Sequence, residues 1–116
     1  MAGLKELVWV GSSRTDLRGF PEEVQDEVGY ALHEAQSGLF PDIAKPLKGF
    51  NGVFEIISDS VRSTFRAVYA TKIGEYIYVL HVFQKKSTIG IKTPKRDIEL
   101  IRQRLMLAQQ IAKGEV

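Results

Sequence analysis

An arginine planted in an apolar strand, and a pair of adjacent lysines at the end of another, are the residues whose types and spacing could do chemistry in this chain. Arg66 lies in the run SVRSTFRAVYAT, flanked by Phe65 and Ala67 and sharing a strand face with Val68. A fully buried arginine is rare without a partner. Two roles fit it. One is an ion pair with an acid such as Glu55 on the neighbouring strand. The other is a guanidinium that looks out of a concave sheet face at a phosphate, whose oxygens its fork of donors matches better than a lysine would. Lys85 and Lys86 end the stretch YIYVLHVFQKK. Two adjacent ammonium groups repel each other unless water or an anion sits between them, although the same pair also serves as a gatekeeper of a solvated strand end.

Other chemistries find no residues to run them. There is no cysteine, so neither a disulfide framework nor a thiolate metal site exists. The two histidines, His33 and His81, are far apart and lack neighbouring ligands at helical or strand spacing, so no metal site or cofactor is expected. His33 lies on an acidic, solvated helix and reads as surface. No glycine-rich phosphate loop, nucleophile elbow or internal repeat is present. What chemistry there is falls to Lys, Arg, Tyr and carboxylates.

Charge sharpens this. The net charge is only +2, but residues 1–44 hold three basic and eight acidic side chains while residues 45–116 hold thirteen basic and six acidic. The second part is therefore the candidate anion-binding part, suited to phosphate-rich partners. The same asymmetry could also complement itself within the folded domain.

The elements that must position these residues follow from pattern. In Tyr76–Gln84 both alternating faces are mostly apolar, which places a strand in the interior of a sheet. Lys5–Val10 reads as a short first strand, followed by a polar, turn-like segment. Pro21 suits the first position of a helix whose stripe is Val24, Val28, Ala31, Leu32 and Ala35. Phe40–Gly52, with two prolines and two glycines, reads as irregular chain that carries Lys45 and Lys48 towards the next strand. Val53–Ser58, Ser63–Thr71 and the Tyr76 strand then form an antiparallel meander, with turns at Asp59-Ser60 and Lys72–Glu75. Thr93 as N-cap and Pro94 at the first position open a last helix, whose Ile98, Ile101, Leu105, Ala108 and Ala112 face the sheet and whose Leu100, Leu107 and Ile111 widen the apolar face. The 116 residues, 44% of them hydrophobic, read as one domain, residues 1–116, able to bury a core without staples. The apolar run Leu7–Val10 is too short for a signal-peptide core or a membrane span, so a cytoplasmic protein is expected.

This succession of strand, helix, lysine-bearing loop, three-strand meander and final helix resembles the RelE/HigB toxins of toxin–antitoxin pairs, most closely their phage-derived HigB-like branch. The carriers are Leu47-Lys48-Gly49, Val53-Phe54-Glu55-Ile56, Phe65-Arg66-Ala67-Val68-Tyr69, Leu80-His81-Val82-Phe83-Gln84-Lys85-Lys86, Lys92-Thr93-Pro94 and the helix Asp97–Leu105. The resemblance implies an α+β fold: a mainly antiparallel sheet of about four strands with an N-terminal and a C-terminal helix packed on it. It also implies a ribosome-dependent, metal-independent endonuclease that cuts messenger RNA and is silenced by an antitoxin, often a helix-turn-helix, HigA-like protein.

Residue by residue, the family's strand arginine matches Arg66, and its basic pair after the central strand matches Lys85 and Lys86; these three are the catalytic candidates. Lys45, Lys48, Lys92 and Thr93 are the substrate-binding candidates. Where RelE itself places lysines on the second strand this chain has Glu55 and Ile57. The general base must then come from Lys48, Lys85, Lys86 or Glu55. Such cleavage needs a base for the 2′-hydroxyl, a donor for the crowded phosphorane and an acid for the leaving 5′-oxygen. Arg66 suits the second role, and a lysine suits the others if a neighbouring cation lowers its pKa. The alternatives are a ParE-like toxin that inhibits a gyrase by protein contact, and a non-toxic phage-derived regulatory or structural domain.

Overall fold

In a computed structural model of the chain, residues 3–59, 63–85 and 93–114 are described. The elements are β1 (Leu7–Trp9), α1 (Ser13–Arg18), α2 (Glu22–Gln36), β2 (Ala44–Pro46), β3 (Val53–Asp59), β4 (Thr64–Ile73), β5 (Tyr76–Lys85) and α3 (Lys95–Ala112). The strands form one sheet in the order β1-β5-β4-β3-β2. The meander β3-β4-β5 is antiparallel, β2 adds antiparallel to β3, and β1 lies parallel to β5 through Leu7↔Ile77, Val8↔Tyr78 and Trp9↔Val79. This is the expected α+β architecture.

Both faces of the sheet are covered, which explains why β5 is apolar on both. On one face Val24, Val28, Ala31, Leu32 and Ala35 of α2 pack on Ile56, Phe65, Ala67, Tyr69, Ile77, Val79 and Val82. On the other, Ile101 and Ala108 of α3 pack on Val53, Val68, Ala70, Tyr78, Leu80 and Phe83. Ile98, Leu105, Leu107 and Ile111 are partly buried beside them, while Ala112 is exposed. The second stripe of α3 thus widens its contact with its own sheet.

Three features depart from the sequence reading. The Phe40–Gly52 stretch contains a short strand, β2. It pairs as Ala44↔Ile56, Lys45↔Glu55 and Pro46↔Phe54, and a proline is tolerated there because β2 is an edge with no further neighbour to receive an N–H. The polar segment after β1 makes a helical turn and a half, α1, whose Ser13 hydroxyl donates to the Val79 carbonyl at 3.1 Å. Thr93 and Pro94 also sit one position further out than expected. Pro94 is the N-cap, with ψ of 145°, and its carbonyl accepts from the N–H groups of Asp97 and Ile98; Pro21 stands in the same way before α2. An extended ψ takes each proline out of the helix although its φ fits, so Thr93 does not cap α3 and its hydroxyl turns to the sheet instead. The turn expected at Asp59-Ser60 includes Ser60, which lies outside the described residues.

A register shift gives the face its chemistry. Val68 pairs with His81 but the next residue, Tyr69, pairs with Val79, so β5 holds one extra residue at Leu80. Such a bulge lets consecutive side chains meet the same neighbour. Leu80 enters the core under α3, and His81 is bonded by α3 as well.

Tyr69, in the α2-side core, has its phenol pushed up from 10.0 to about 12, first by burial and then by the nearby Glu34 carboxylate. The unfolded chain therefore loses this proton before the folded one does, and stability is lost as pH rises from about 10 through about 12. A Tyr69→Phe variant is expected to lose less stability than the wild type across that window, which urea unfolding at a series of alkaline pH values measures. Parallel curves would mean that the phenol does not titrate with unfolding.

Candidate active site

The strand pairings converge four charged side chains on the α3 face of the sheet, towards the open end of β5. Lys45 on β2 stands beside Glu55 on β3, Ile57 pairs with Arg66 on β4, Arg66 with Phe83, and Thr64 with Lys85 on β5. Period-two alternation puts Glu55, Arg66 and Lys85 on one side of their strands. The α3 helix closes this side, and Thr93, just before it, reaches the same cluster.

Glu55 is the hub. Its carboxylate is 3% exposed, and Oε2 lies 2.7 Å from Nη1 of Arg66, itself 8% exposed at the side chain. Oε1 lies 3.9 Å from Nζ of Lys45, whose side chain is 52% exposed. The Thr93 hydroxyl donates to Oε2 across a long 3.4 Å. The buried ion pair foreseen as one role of Arg66 is therefore present, and it does not use up the guanidinium. Nη1 is close to the carboxylate yet misaligned for a hydrogen bond, and both Nη1 and Nε are buried with no hydrogen-bond partner among the described residues. Buried donors left open in this way are costly unless a ligand or water takes them. One carboxylate among three cations also leaves a positive excess, the setting in which a phosphate would be held.

Lys85, half-buried at the strand end, has its ammonium held below the usual lysine range. Loss of solvent contributes most, then the positive charges of Arg66 and, after an opposing pull from Glu55, Lys45. A lysine so tuned is closer to working as a base near neutral pH. Lys48 is exposed in the turn after β2. Lys86 and Lys92 lie outside the described residues, so the structure brings together Arg66, Lys85, Lys45 and Thr93 of the seven candidates.

A second polar cluster, not foreseen from sequence, fastens α3 to β5. His81, 6% exposed, has Nε2 2.8 Å from Oδ1 of Asp97 and Nδ1 3.5 Å from Nη1 of Arg104. Arg104 also donates from Nη1 to the Leu80 carbonyl at 3.0 Å and from Nη2 to the Ser12 hydroxyl at 3.1 Å. A neutral ring with its proton on Nε2 satisfies both neighbours: it donates to the carboxylate and accepts from the guanidinium. With both nitrogens engaged and Phe83 stacked on the ring at 4.8 Å, His81 positions α3. The signal was the spacing of Asp97 and Arg104, seven apart on the helix face that also carries Ile101 and Ala108. Gly11, at φ 59°, leaves room for the Arg104 head, since a Cβ there would lie 2.8 Å from its Cζ.

Among the described residues no group of three His, Asp or Glu converges as a metal ion would need, and no helix is long and apolar enough to cross a membrane. A family model described as phage derived protein Gp49-like matches residues 15–106, a span holding every candidate site residue and both polar clusters except Ser12. No curated protein and no solved structure matches the chain.

The Glu55–Arg66 pair makes a direct prediction. Removing one partner leaves a buried charge alone, so Arg66→Met and Glu55→Gln are each expected to cost about 3 kcal/mol or more. The double variant should recover part of that, with a coupling of about 1–3 kcal/mol in a double-mutant cycle by urea unfolding. Additive costs would show that the two side chains do not depend on each other.

Proposed function

Because the chain belongs to the phage-derived Gp49-like family, which falls within the RelE toxin-like superfamily, we propose that it is the toxin of a HigB-like toxin–antitoxin pair. Its activity would be metal-independent cleavage of messenger RNA held by the ribosome. The observation that carries this reading is the Arg66 guanidinium held by Glu55 in a cluster with Lys45 and with Lys85, whose pKa is lowered.

The chemistry assigns roles to the clustered residues. Lys85 in its neutral form takes the proton of the 2′-hydroxyl, and the 2′-oxygen attacks the adjacent phosphorus. The Arg66 guanidinium takes the charge that gathers on the non-bridging oxygens of the phosphorane, which is the term most sensitive to a prepositioned donor. The bond from phosphorus to the 5′-oxygen breaks, and the Lys45 ammonium, at the exposed margin of the cluster, supplies the proton that oxygen needs. The products are a 2′,3′-cyclic phosphate and a 5′-hydroxyl. Glu55 does not act as the base in this scheme, because its carboxylate is neutralised by Arg66 and Lys45 and is kept to hold Arg66 in place. Lys86, Lys48, Lys92 and Thr93 complete the anionic-strand site. The substrate is splayed, single-stranded message, whose backbone the cations follow.

A protein of this kind needs a partner that covers its basic surface. The partner proposed is a helix-turn-helix, HigA-like antitoxin encoded beside it, binding with an affinity that falls as salt rises.

Induced expression is expected to stop translation before DNA replication; replication stopping first would indicate gyrase inhibition instead. In single-turnover cleavage of ribosome-bound message, Lys85→Gln should lower the rate by about a hundredfold while barely moving the thermal midpoint, since Lys85 stands at a partly solvated strand end. The wild-type rate should rise with pH and level off below the pH at which an ordinary lysine deprotonates, because Lys85 is lowered. A Lys85→Gln variant with the wild-type rate and the same pH profile would sink the assignment of the base.

A further inference from the structure

Away from that cluster, on the same face of the sheet, the turn after β2 meets the middle of α3 and leaves a groove of about 360 Å³. Phe50, Asn51, Lys72, Arg102 and Gln109 wall it above Ala70, and no acidic side chain lines it. The Arg102 guanidinium lies over the Phe50 ring, with Cζ 4.8 Å from the ring centroid. Neither Arg102 nor Lys72 belongs to an ion pair among the described residues.

Lys72 is held in its direction. Gly52, at φ 72°, lies under the aliphatic stem of Lys72, and a Cβ there would come within 2.9 Å of the Lys72 Cδ. The missing side chain lets the stem lie flat against the backbone, which fixes where the ammonium emerges. The groove therefore offers a flat cationic plane backed by an aromatic ring, a directed ammonium and two amide side chains. A flat guanidinium presents its outer face to a nucleobase, amides can bond base edges, and an ammonium takes a phosphate. An acidic peptide would use the two charges but leave the stacked plane idle.

The groove is also connected to the first cluster. The chain from Lys45, beside Glu55, passes exposed Lys48 and reaches Phe50. Along β4, Arg66 and Lys72 are six residues apart, about 20 Å at the rise of a strand, a span that several nucleotides of an extended strand would cover.

We infer that this groove is a flanking-nucleotide subsite for single-stranded RNA, with the base stacked on the Arg102 guanidinium and a phosphate on Lys72. The inference rests on the ribonuclease reading for the identity of the strand as substrate, but the groove's affinity for RNA is a property that can be measured separately.

The test is fluorescence anisotropy with a short, labelled, single-stranded RNA that is 2′-O-methylated throughout and so cannot be cleaved. Arg102→Ala is expected to weaken binding about tenfold, the scale of losing one stacked base. Arg102→Lys, which keeps the charge and loses the plane, should weaken it too. Lys72→Gln should weaken it and flatten the salt dependence by about 0.7 in log–log slope, as for one lost phosphate contact. Wild-type binding by both Arg102→Ala and Lys72→Gln overturns the subsite, as does displacement of the RNA by polyglutamate at equal charge concentration. A cleavage assay on ribosome-bound message separates the two readings. Arg102-dependent RNA binding without cleavage keeps the subsite and overturns the ribonuclease, whereas cleavage with RNA binding indifferent to Arg102 does the reverse.

Discussion

A carboxylate shut inside a sheet is the constraint on which the rest of the structure depends. Glu55 is shut away from solvent almost completely, and its charge is met by Arg66, 2.7 Å away on the next strand. Lys45 approaches from the edge strand and Thr93 from the approach to α3. Arg66 and Lys45 are each fixed by backbone pairing, so the charge cluster inherits the rigidity of the sheet. The arrangement is poor as a device for stability, since an apolar pair of similar volume would avoid the desolvation of both ions. It is well suited to holding a guanidinium still.

The sheet also separates the charges of the chain. The α2 helix carries Glu22, Glu23, Asp26, Glu27 and Glu34 and no lysine or arginine, and it covers one face. Arg66, Arg102 and Arg104 gather on the other with α3, and Lys45 and Lys85 lie at its margin. The acidic first part and the basic second part therefore do not neutralise each other across an interface; five strands of backbone stand between them, which leaves the field of the α3 face positive.

Much of this was legible in the sequence, for reasons that are local. The two-faced apolar run of β5, the stripe of α2 and the meander all follow from periodicity, and the Arg66–Glu55 pair was one of the two roles open to an arginine in an apolar strand. What escaped was fixed by tertiary contact. β2 is three residues long and contains a proline, so no local preference announces it, and only the free edge of β3 makes it a strand. His81 looked solitary because its partners, Asp97 and Arg104, come from a helix that begins ten residues after its strand ends, and because a bulge of one residue turns it towards them. The place of Thr93 was misjudged by one position, since proline's φ suits both the N-cap and the first turn and only ψ decides.

The parallel pairing of β1 with β5 has a consequence for the order of assembly. Leu7 must wait for Ile77, and long-range pairs of this kind form late because the intervening loop has to close before any contact rewards it. The meander can form from neighbours in sequence, but α1, whose Ser13 bonds Val79, and the Ser12 contact with Arg104 both need chain made much later. The α3 helix that closes over the charge cluster is later still. The charge cluster is thus covered only after all five strands beneath it have been made.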